Sequence, residues 1–236
     1  MTPAGALMLF DIDGTLVGRA SGEHSAALHA ALERVHGVDA GRSRTPISPA
    51  GRTDGEIARL LLLGAGISAR RIDERADDVR AACCEAYSRL CPADLSDRVL
   101  PGIAHLLEWL SSRPDVSLSL VTGNYEPVAR LKLSRARIGH HFPAGQGGFG
   151  SDSEDRAALP GIARRRAGPD GCAHPRDRTI VIGDTPRDIA CARADGVRCL
   201  AVATGPFGIE DLVDADGVAA GGPQLRPLIE DLVGPV

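Results

Sequence analysis

The chain has 236 residues, a formal net charge of −4 and an aromatic content of 3%. A chain of this length can bury a full hydrophobic core, either as one large α/β domain or as a core domain with a smaller insertion. Because basic residues are not in excess and aromatic side chains are scarce, the composition argues against a nucleic-acid partner.

Cysteine usage and hydropathy indicate the compartment. The six cysteines form neither Cys-x-x-Cys pairs nor a regular spacing, which favours reduced thiols in the cytosol. The apolar start of the chain is short and has no basic residue before it, and the four leucines at 60–63 are far too few to cross a bilayer. We therefore expect a cytoplasmic monomer or homodimer with no membrane partner.

The first predicted element is a strand over residues 6–10 that ends in two acids. Its sequence is apolar without alternation, which is typical of a strand buried on both faces of a parallel sheet. Asp11, Asp13 and Gly14 follow at the carboxyl end, where open α/β sheets bind ligands. A simple turn is the alternative. A calcium loop is disfavoured, because the fifth position is Thr15 and the next acid, Glu23, is the thirteenth.

The next part of the chain is predicted to be helical. Apolar residues recur at three- and four-residue spacing over 23–35, 54–63 and 68–90, with no convincing strand among them. This stretch is too long for a simple crossover between strands. We interpret residues 18–97 as a separate helical insertion in a core formed by 1–17 and 98–236.

From residue 101 onward, predicted strands and helices alternate. We predict strands at 116–121, 179–182 and 197–202, and helices at 102–112, 126–137, 155–166, 188–195 and 223–233. Within 149–156, Ser151 and Glu154 have the spacing of a capping box that would start one of these helices. Alternation of this kind predicts an α/β fold with a doubly wound parallel sheet.

Two of these strands also end in polar residues. Thr122-Gly123-Asn124 follows the strand at 116–121, and Gly183-Asp184 with Asp188 follows the strand at 179–182. Each motif alone is weak, since it could be an ordinary turn or a helix N-cap. In this order, together with the acids after the first strand, they predict one crevice with four acids and a hydroxyl.

The basic residues contain one informative exception. Of 27 basic residues, 26 are arginine and Lys132 is the one lysine. An ammonium is a compact point charge, whereas a guanidinium is a broad planar fork, so a narrow anionic site can require lysine. Lys132 is therefore a candidate site residue, with an exposed helix lysine as the alternative.

The motif Phe-Asp-Ile-Asp-Gly-Thr-Leu at 10–16 resembles motif I of the haloacid dehalogenase (HAD) superfamily. The segments at 122–124 and 183–188 resemble its motifs II and IV, so the resemblance covers the whole chain. It is closest to the phosphoglycolate phosphatase and β-phosphoglucomutase-like branch. It implies a Rossmann-like core with a helical cap inserted after motif I.

The resemblance also implies roles. Asp11 would be the nucleophile that forms an aspartyl-phosphate, and Asp13 would protonate the leaving alcohol and then deprotonate water. Mg²⁺ would be bound by the Asp11 carboxylate, the Asp13 main-chain carbonyl and Asp184. Phosphoryl oxygens would be held by Thr122, Gly123, Asn124 and Lys132. Asp188 would support the metal ligands or orient Lys132.

Many relatives with this architecture carry the lysine later, in a Lys-Pro segment where this chain has residues 149–156. Since the chain has no other lysine, Lys132 either takes this role from the preceding helix or no ammonium does.

The implied function is a Mg²⁺-dependent phosphatase acting on a small-molecule phosphate monoester. The alternatives are a β-phosphoglucomutase-like sugar phosphomutase and a non-catalytic protein that binds a phosphorylated ligand. Dehalogenases with this fold lack the second acid of motif I, so Asp13 argues against dehalogenation. In the cap, Arg52 and Thr53 could bind a second anionic group of the substrate. Alternatively, Thr53 or Asp54 is an N-cap and Arg52 is solvated.

Overall fold

The computed structural model describes residues 5–18, 21–39, 47–169 and 172–233. The predicted domain ranges therefore extend in part outside the described residues. Within the described residues, six parallel strands form one sheet in the order β3-β2-β1-β4-β5-β6. The strands are β1 (Ala6–Phe10), β2 (Val116–Thr122), β3 (Gly148–Phe149), β4 (Thr179–Gly183), β5 (Arg198–Val202) and β6 (Gly217–Ala219).

The strand β1 lies at the centre of the sheet, between β2 and β4. Met8 is paired with Leu118 on one side and with Ile180 on the other. All five residues of β1 are buried, as expected for a strand covered on both faces. The strand order reverses direction at β1, so its carboxyl end is the topological switch point where such sheets bind ligands.

Helices cover both faces of the sheet. The described helices are α1 (Ser21–His36), α2 (Asp54–Gly64), α3 (Ala69–Leu90), α4 (Ile103–Ser111), α5 (Glu126–Arg135), α6 (Leu159–Ala167), α7 (Pro186–Asp195) and α8 (Gly222–Val233). Thr53 and Ser68 cap α2 and α3 by accepting hydrogen bonds from the third residue after each. Within the described ranges, no helix combines the length and hydropathy needed to cross a membrane.

Alternate residues of β1 belong to two apolar clusters on opposite faces of the sheet, which confirms the doubly wound sheet. Met8 and Phe10 pack into the larger cluster, and Leu7 and Leu9 pack into the smaller one on the opposite face. Buried residues of α1, α2 and α3 belong to the larger cluster together with those of the sheet. The helical insertion is present between β1 and α4, while the domain boundaries at residues 18 and 97 stay a prediction.

The structure differs from the sequence-based expectations at three places. The strands β3 and β6 were not predicted, since two or three residues that include glycine give no periodicity. The predicted capping box at Ser151 and Glu154 is wrong. Asp155 instead accepts a hydrogen bond from Ala157 N and caps a short 3₁₀ helix that precedes α6, and Ser151 Oγ accepts one from Glu126 N.

Candidate active site

The predicted site residues lie at neighbouring strand ends because β1 is paired with both β2 and β4. Asp11 N donates a hydrogen bond to Ile182 O at 2.9 Å, which holds the end of β1 against β4. A cavity of about 720 Å³ opens between these strand ends and the α1–α3 segment. Residues from the sheet side of its lining include Asp11, Asp13, Thr122, Gly123, Asn124, Arg156 and Asp184.

Three buried carboxylates lie close together in the described part of the chain. Ligand oxygens of Asp11, Asp184 and Asp188 all lie within 4.8 Å of one another. Burial raises the pKa of Asp11 to about 6, against the lowering effect of Arg156. Burial and repulsion from Asp11 and Asp188 raise the pKa of Asp184 to about 8. When all three carboxylates are ionised, Arg156 balances only part of their negative charge, and a divalent cation would balance the rest.

The surroundings of Asp184 fit a hard cation with oxygen ligands. Thr15 Oγ1 donates to Asp184 Oδ1 at 3.1 Å and orients the carboxylate. Gly14 has φ +83, and a Cβ at Gly14 or at Gly205 would overlap the Asp184 carboxylate. Thr204 Oγ1 donates to Gly14 O at 2.5 Å and links these two loops. Because Gly14 and Gly205 have no Cβ, the Asp184 carboxylate can occupy the space between them.

Asp188 supports this cluster rather than Lys132. Its Oδ2 accepts hydrogen bonds from Thr185 N at 3.0 Å and from Thr185 Oγ1 at 2.7 Å, in a capping box at the start of α7. Its Oδ1 accepts from Arg156. Of the two roles expected for Asp188, the orientation of Lys132 is therefore wrong, because both carboxylate oxygens are bonded to other groups.

Lys132 is completely buried and contacts Asp13. Its Nζ lies 2.7 Å from both carboxylate oxygens of Asp13 and donates to Asn124 Oδ1 at 2.9 Å. Asn124 Nδ2 in turn donates to Asp13 Oδ2 at 2.9 Å. Burial acts to raise the pKa of Asp13, but attraction to Lys132 and His24 and the hydrogen bonds from Lys132 and Asn124 lower it. The ammonium therefore lies beside Asp13, and the alternative of an exposed lysine is excluded.

Arg156 is the cation beside Asp11, and it was not among the predicted site residues. Its guanidinium is buried and lies 3.4 Å from Asp11 Oδ2 while also pairing with Asp188. Arg156 ends the segment 149–156, where many relatives carry a lysine. That position was the available signal, although it holds an arginine in this chain and not an ammonium group.

Thr122 and Gly123 line the cavity at the end of β2. Thr122 is fully buried, and its Oγ1 accepts a hydrogen bond from Asn124 N at 3.4 Å. A Cβ at Gly123 would overlap the main-chain carbonyl of Arg52, and Gly123 O accepts from Asp54 N at 2.8 Å. The start of α2 therefore rests directly on the loop that follows β2.

Arg52 lines the cavity, whereas Thr53 is buried outside its lining and has the alternative role of an N-cap. Thr53 is the N-cap of α2 and accepts from Glu56 N at 3.1 Å, and its hydroxyl donates to Glu154 O at 2.8 Å. The Arg52 guanidinium forms an ion pair with Glu56 and donates to Ser48 O at 3.1 Å. Arg52 thus lines the cavity with its charge already compensated.

Comparisons with known proteins support the predicted family. A model of the haloacid dehalogenase-like hydrolase family matches residues 8–193. Phosphoglycolate phosphatase 1 of Pseudomonas aeruginosa is 30% identical over 205 residues, which cover 84% of this chain and 70% of that relative. The range matched by the family model spans both the acids after β1 and those after β4.

Two solved structures show the same fold. β-Phosphoglucomutase from Clostridium difficile superposes with a TM-score of 0.68 at 17% identity, over 97% of this chain and 96% of that chain. CbbY from Rhodobacter sphaeroides, in complex with phosphate, has a TM-score of 0.65 at 19% identity, over 94% and 96% of the two chains. These findings confirm the predicted fold class and the predicted phosphatase and mutase branch. The chain belongs to the haloacid dehalogenase-like hydrolase family.

Proposed function

We propose that this hydrolase is a Mg²⁺-dependent phosphatase that hydrolyses a small-molecule phosphate monoester through a phosphorylated Asp11. The observation that carries the proposal is the pair of acids after β1, which have different surroundings. Asp11 lies in the buried acidic cluster beside Arg156, while Asp13 is held by Lys132 and Asn124. Two carboxylates with separate partners suit a nucleophile and a proton carrier.

In the first step, a carboxylate oxygen of Asp11 attacks phosphorus and the bond from phosphorus to the ester oxygen breaks. Asp13 gives its proton to the departing alkoxide, which leaves as the alcohol. Arg156 lies beside the attacking carboxylate, where its guanidinium can hold a phosphoryl oxygen. Thr122 and the Gly123 amide supply further donors at the end of β2.

In the second step, the Asp13 carboxylate takes a proton from water, and the water oxygen attacks phosphorus. The bond between phosphorus and Asp11 then breaks, which releases inorganic phosphate and restores the carboxylate. Lys132 favours the ionised form of Asp13 that this step needs. Mg²⁺, held by Asp11, Asp184 and the Asp13 main-chain carbonyl, would neutralise and orient the phosphoryl group.

The test is a panel of phosphate monoesters assayed with Mg²⁺ and with EDTA. It contains an aryl phosphate with a good leaving group, sugar phosphates and 2-phosphoglycolate, the last because relatives are named as phosphoglycolate phosphatases. We expect phosphate release with Mg²⁺ and none with EDTA. Isomerised sugar phosphate without net phosphate release would favour a mutase, and no turnover by folded protein would favour a binding protein.

Although Lys132→Arg keeps the positive charge, we expect it to lower kcat/KM by about 10- to 100-fold. It would disturb Asp13, the proposed general acid and base, without removing it. The reason is space, since a completely buried ammonium that touches both Asp13 oxygens leaves no room for a guanidinium. Steady-state kinetics and thermal unfolding measure the effect. The control is Arg135→Lys on the same helix, and wild-type kinetics of Lys132→Arg would remove Lys132 from the proposed site.

Gly205→Ala is expected to weaken activation by Mg²⁺ by about 10- to 100-fold, the range typical of changes next to metal ligands. Its Cβ would overlap the Asp184 carboxylate and force it out of the acidic cluster. The measurement is the Mg²⁺ concentration for half-maximal activity. Gly22→Ala is the matched control, because a Cβ there meets nothing within 4 Å. An unchanged Mg²⁺ requirement in Gly205→Ala would contradict the assignment of Asp184 as a ligand.

A further inference from the structure

The half of the cavity that faces the α1–α3 segment differs in chemistry from the acidic half. Its apolar lining is formed by Leu28, Pro49 and Ile57, and Pro206 and Phe207 from the loop after β5 line the same cavity. The charged and titratable groups on this side come from His24, His29, Arg52 and Asp54. What these groups already bind determines which leaving group the cavity accepts.

The basic side chains Arg52 and His24 on this side have internal partners. Arg52 is paired with Glu56 and bonded to Ser48 O. His24 Nε2 lies 3.1 Å from Asp54 Oδ2, and the same oxygen accepts a hydrogen bond from Tyr125 N at 2.7 Å. Neither side chain is available to a ligand unless it loses a bond that it now makes.

The start of α2 is also a poor site for an anion. A helix N-terminus ordinarily favours negative charge, but this one already carries Asp54 and Glu56 in its first turn. A carboxylate or second phosphate on the substrate would therefore enter a confined space where acidic groups outnumber unpaired basic ones. Burying a charge without a partner is strongly unfavourable.

The remaining surface suits an uncharged group. Leu28 is buried and Ile57 is half-buried, and both lie at the cavity with prolines and Phe207. His29 is half-buried and has no hydrogen-bond partner among the described residues, so its ring can contact an apolar group or bond to a hydroxyl. Apolar contact contributes about 25 cal/mol per Å² of area removed from water.

We propose that the substrate of this enzyme is a phosphate monoester of an uncharged alcohol with an apolar face, and that a second anionic group on the alcohol is rejected. The proposal rests on the phosphatase function proposed above and specifies its substrate class. It separates this chain from enzymes for 2-phosphoglycolate, whose substrate carries a carboxylate close to the phosphate ester.

The experiment compares 4-methylbenzyl phosphate with 4-carboxybenzyl phosphate, which share a ring and an ester and differ in charge at the far end. We expect kcat/KM to be at least about tenfold higher for 4-methylbenzyl phosphate, because the carboxylate of the other compound would be buried without a partner. Ile57→Ala is expected to lower the ratio of kcat/KM for 4-methylbenzyl phosphate to that for methyl phosphate by about five- to tenfold.

Glu56→Gln tests the charge argument directly. It removes the partner of Arg52 and keeps the size of the side chain, so we expect the carboxylate compound to gain about three- to tenfold relative to the methyl compound. Adding Arg52→Gln to Glu56→Gln is expected to abolish that gain. The control is Glu33→Gln, an exposed charge on α1 away from the cavity, which is expected to leave the ratio unchanged.

The outcomes separate the two proposals. Equal or faster hydrolysis of 4-carboxybenzyl phosphate by the wild-type enzyme overturns the substrate class and leaves the phosphatase function standing. A gain in Glu56→Gln that survives the loss of Arg52 overturns the role given to the Arg52 and Glu56 pair. Absence of Mg²⁺-dependent hydrolysis of every compound overturns the phosphatase function and the substrate class with it.

Discussion

Asp11→Asn is expected to lower kcat by at least about 10³-fold, the scale of loss when a nucleophile is removed. The amide keeps the volume of the carboxylate but removes the attacking oxygen and one charge from the acidic cluster. After incubation with labelled substrate, we expect the wild-type chain to yield a phosphoenzyme that is stable in acid and cleaved by hydroxylamine. We expect Asp11→Asn to yield none. Asp214→Asn, at an exposed position, is the matched control.

The same variant has a second readout that does not depend on activity. Because burial raises the pKa of Asp11 from 3.8 to about 6, its contribution to stability is present at low pH and is lost as pH rises through that interval. Metal-free Asp11→Asn avoids this loss. It is therefore expected to unfold a few degrees above the wild-type chain at pH 7.

Two results would contradict these expectations. Activity above a few per cent of wild type, in a preparation free of deamidated protein, would exclude Asp11 as the nucleophile. A lower unfolding temperature at pH 7 would show that the Asp11 carboxylate is well compensated without a metal, and would weaken the case for a cation in the acidic cluster.

Asp13→Asn is expected to lower the rate of the first step by about 10²- to 10⁴-fold for alkyl phosphates, whose leaving groups need a proton. For an aryl phosphate with a good leaving group, the loss in that step should be much smaller. Single-turnover phosphorylation with both substrates separates this step from the release of phosphate. Equal losses for the two leaving groups would contradict the role of Asp13 as a proton donor.

The second step gives a further distinction. Since Asp13 also takes the proton of water, Asp13→Asn is expected to accumulate phosphoenzyme with the aryl substrate. The matched comparison is Asn124→Ala, which removes the amide that bridges Asp13 and Lys132 but keeps the carboxylate. It should slow both steps less than Asp13→Asn does.

The part of the site built on strand ends was predictable from the sequence. An apolar run followed by Asp11 and Asp13, and similar runs before Thr122 and Asp184, locate the ends of strands by local signals alone. Parallel pairing then requires those ends to share one edge of the sheet. For this reason the fold class and the approach of these residues follow from short segments of the chain.

The pairing of charges was decided only by the tertiary structure. Lys132 lies 119 residues from Asp13, and nothing local distinguishes a contact with Asp13 from one with Asp11. Arg156 reaches Asp11 and Asp188 because a short 3₁₀ helix before α6 turns its side chain inward. Composition made the lone lysine conspicuous, whereas one arginine among 26 carried no such signal.

The cavity lining was likewise predictable in part from the sequence and decided in part by the tertiary structure. The sequence indicated that Thr53 or Asp54 could start a helix and that Arg52 stands just before it. Whether Arg52 faces a ligand with a free charge depends on Glu56 one turn later and on the carbonyl of Ser48. Local signals determine where the chain turns and which groups are available, while the charge that a ligand meets depends on packing between segments distant in sequence.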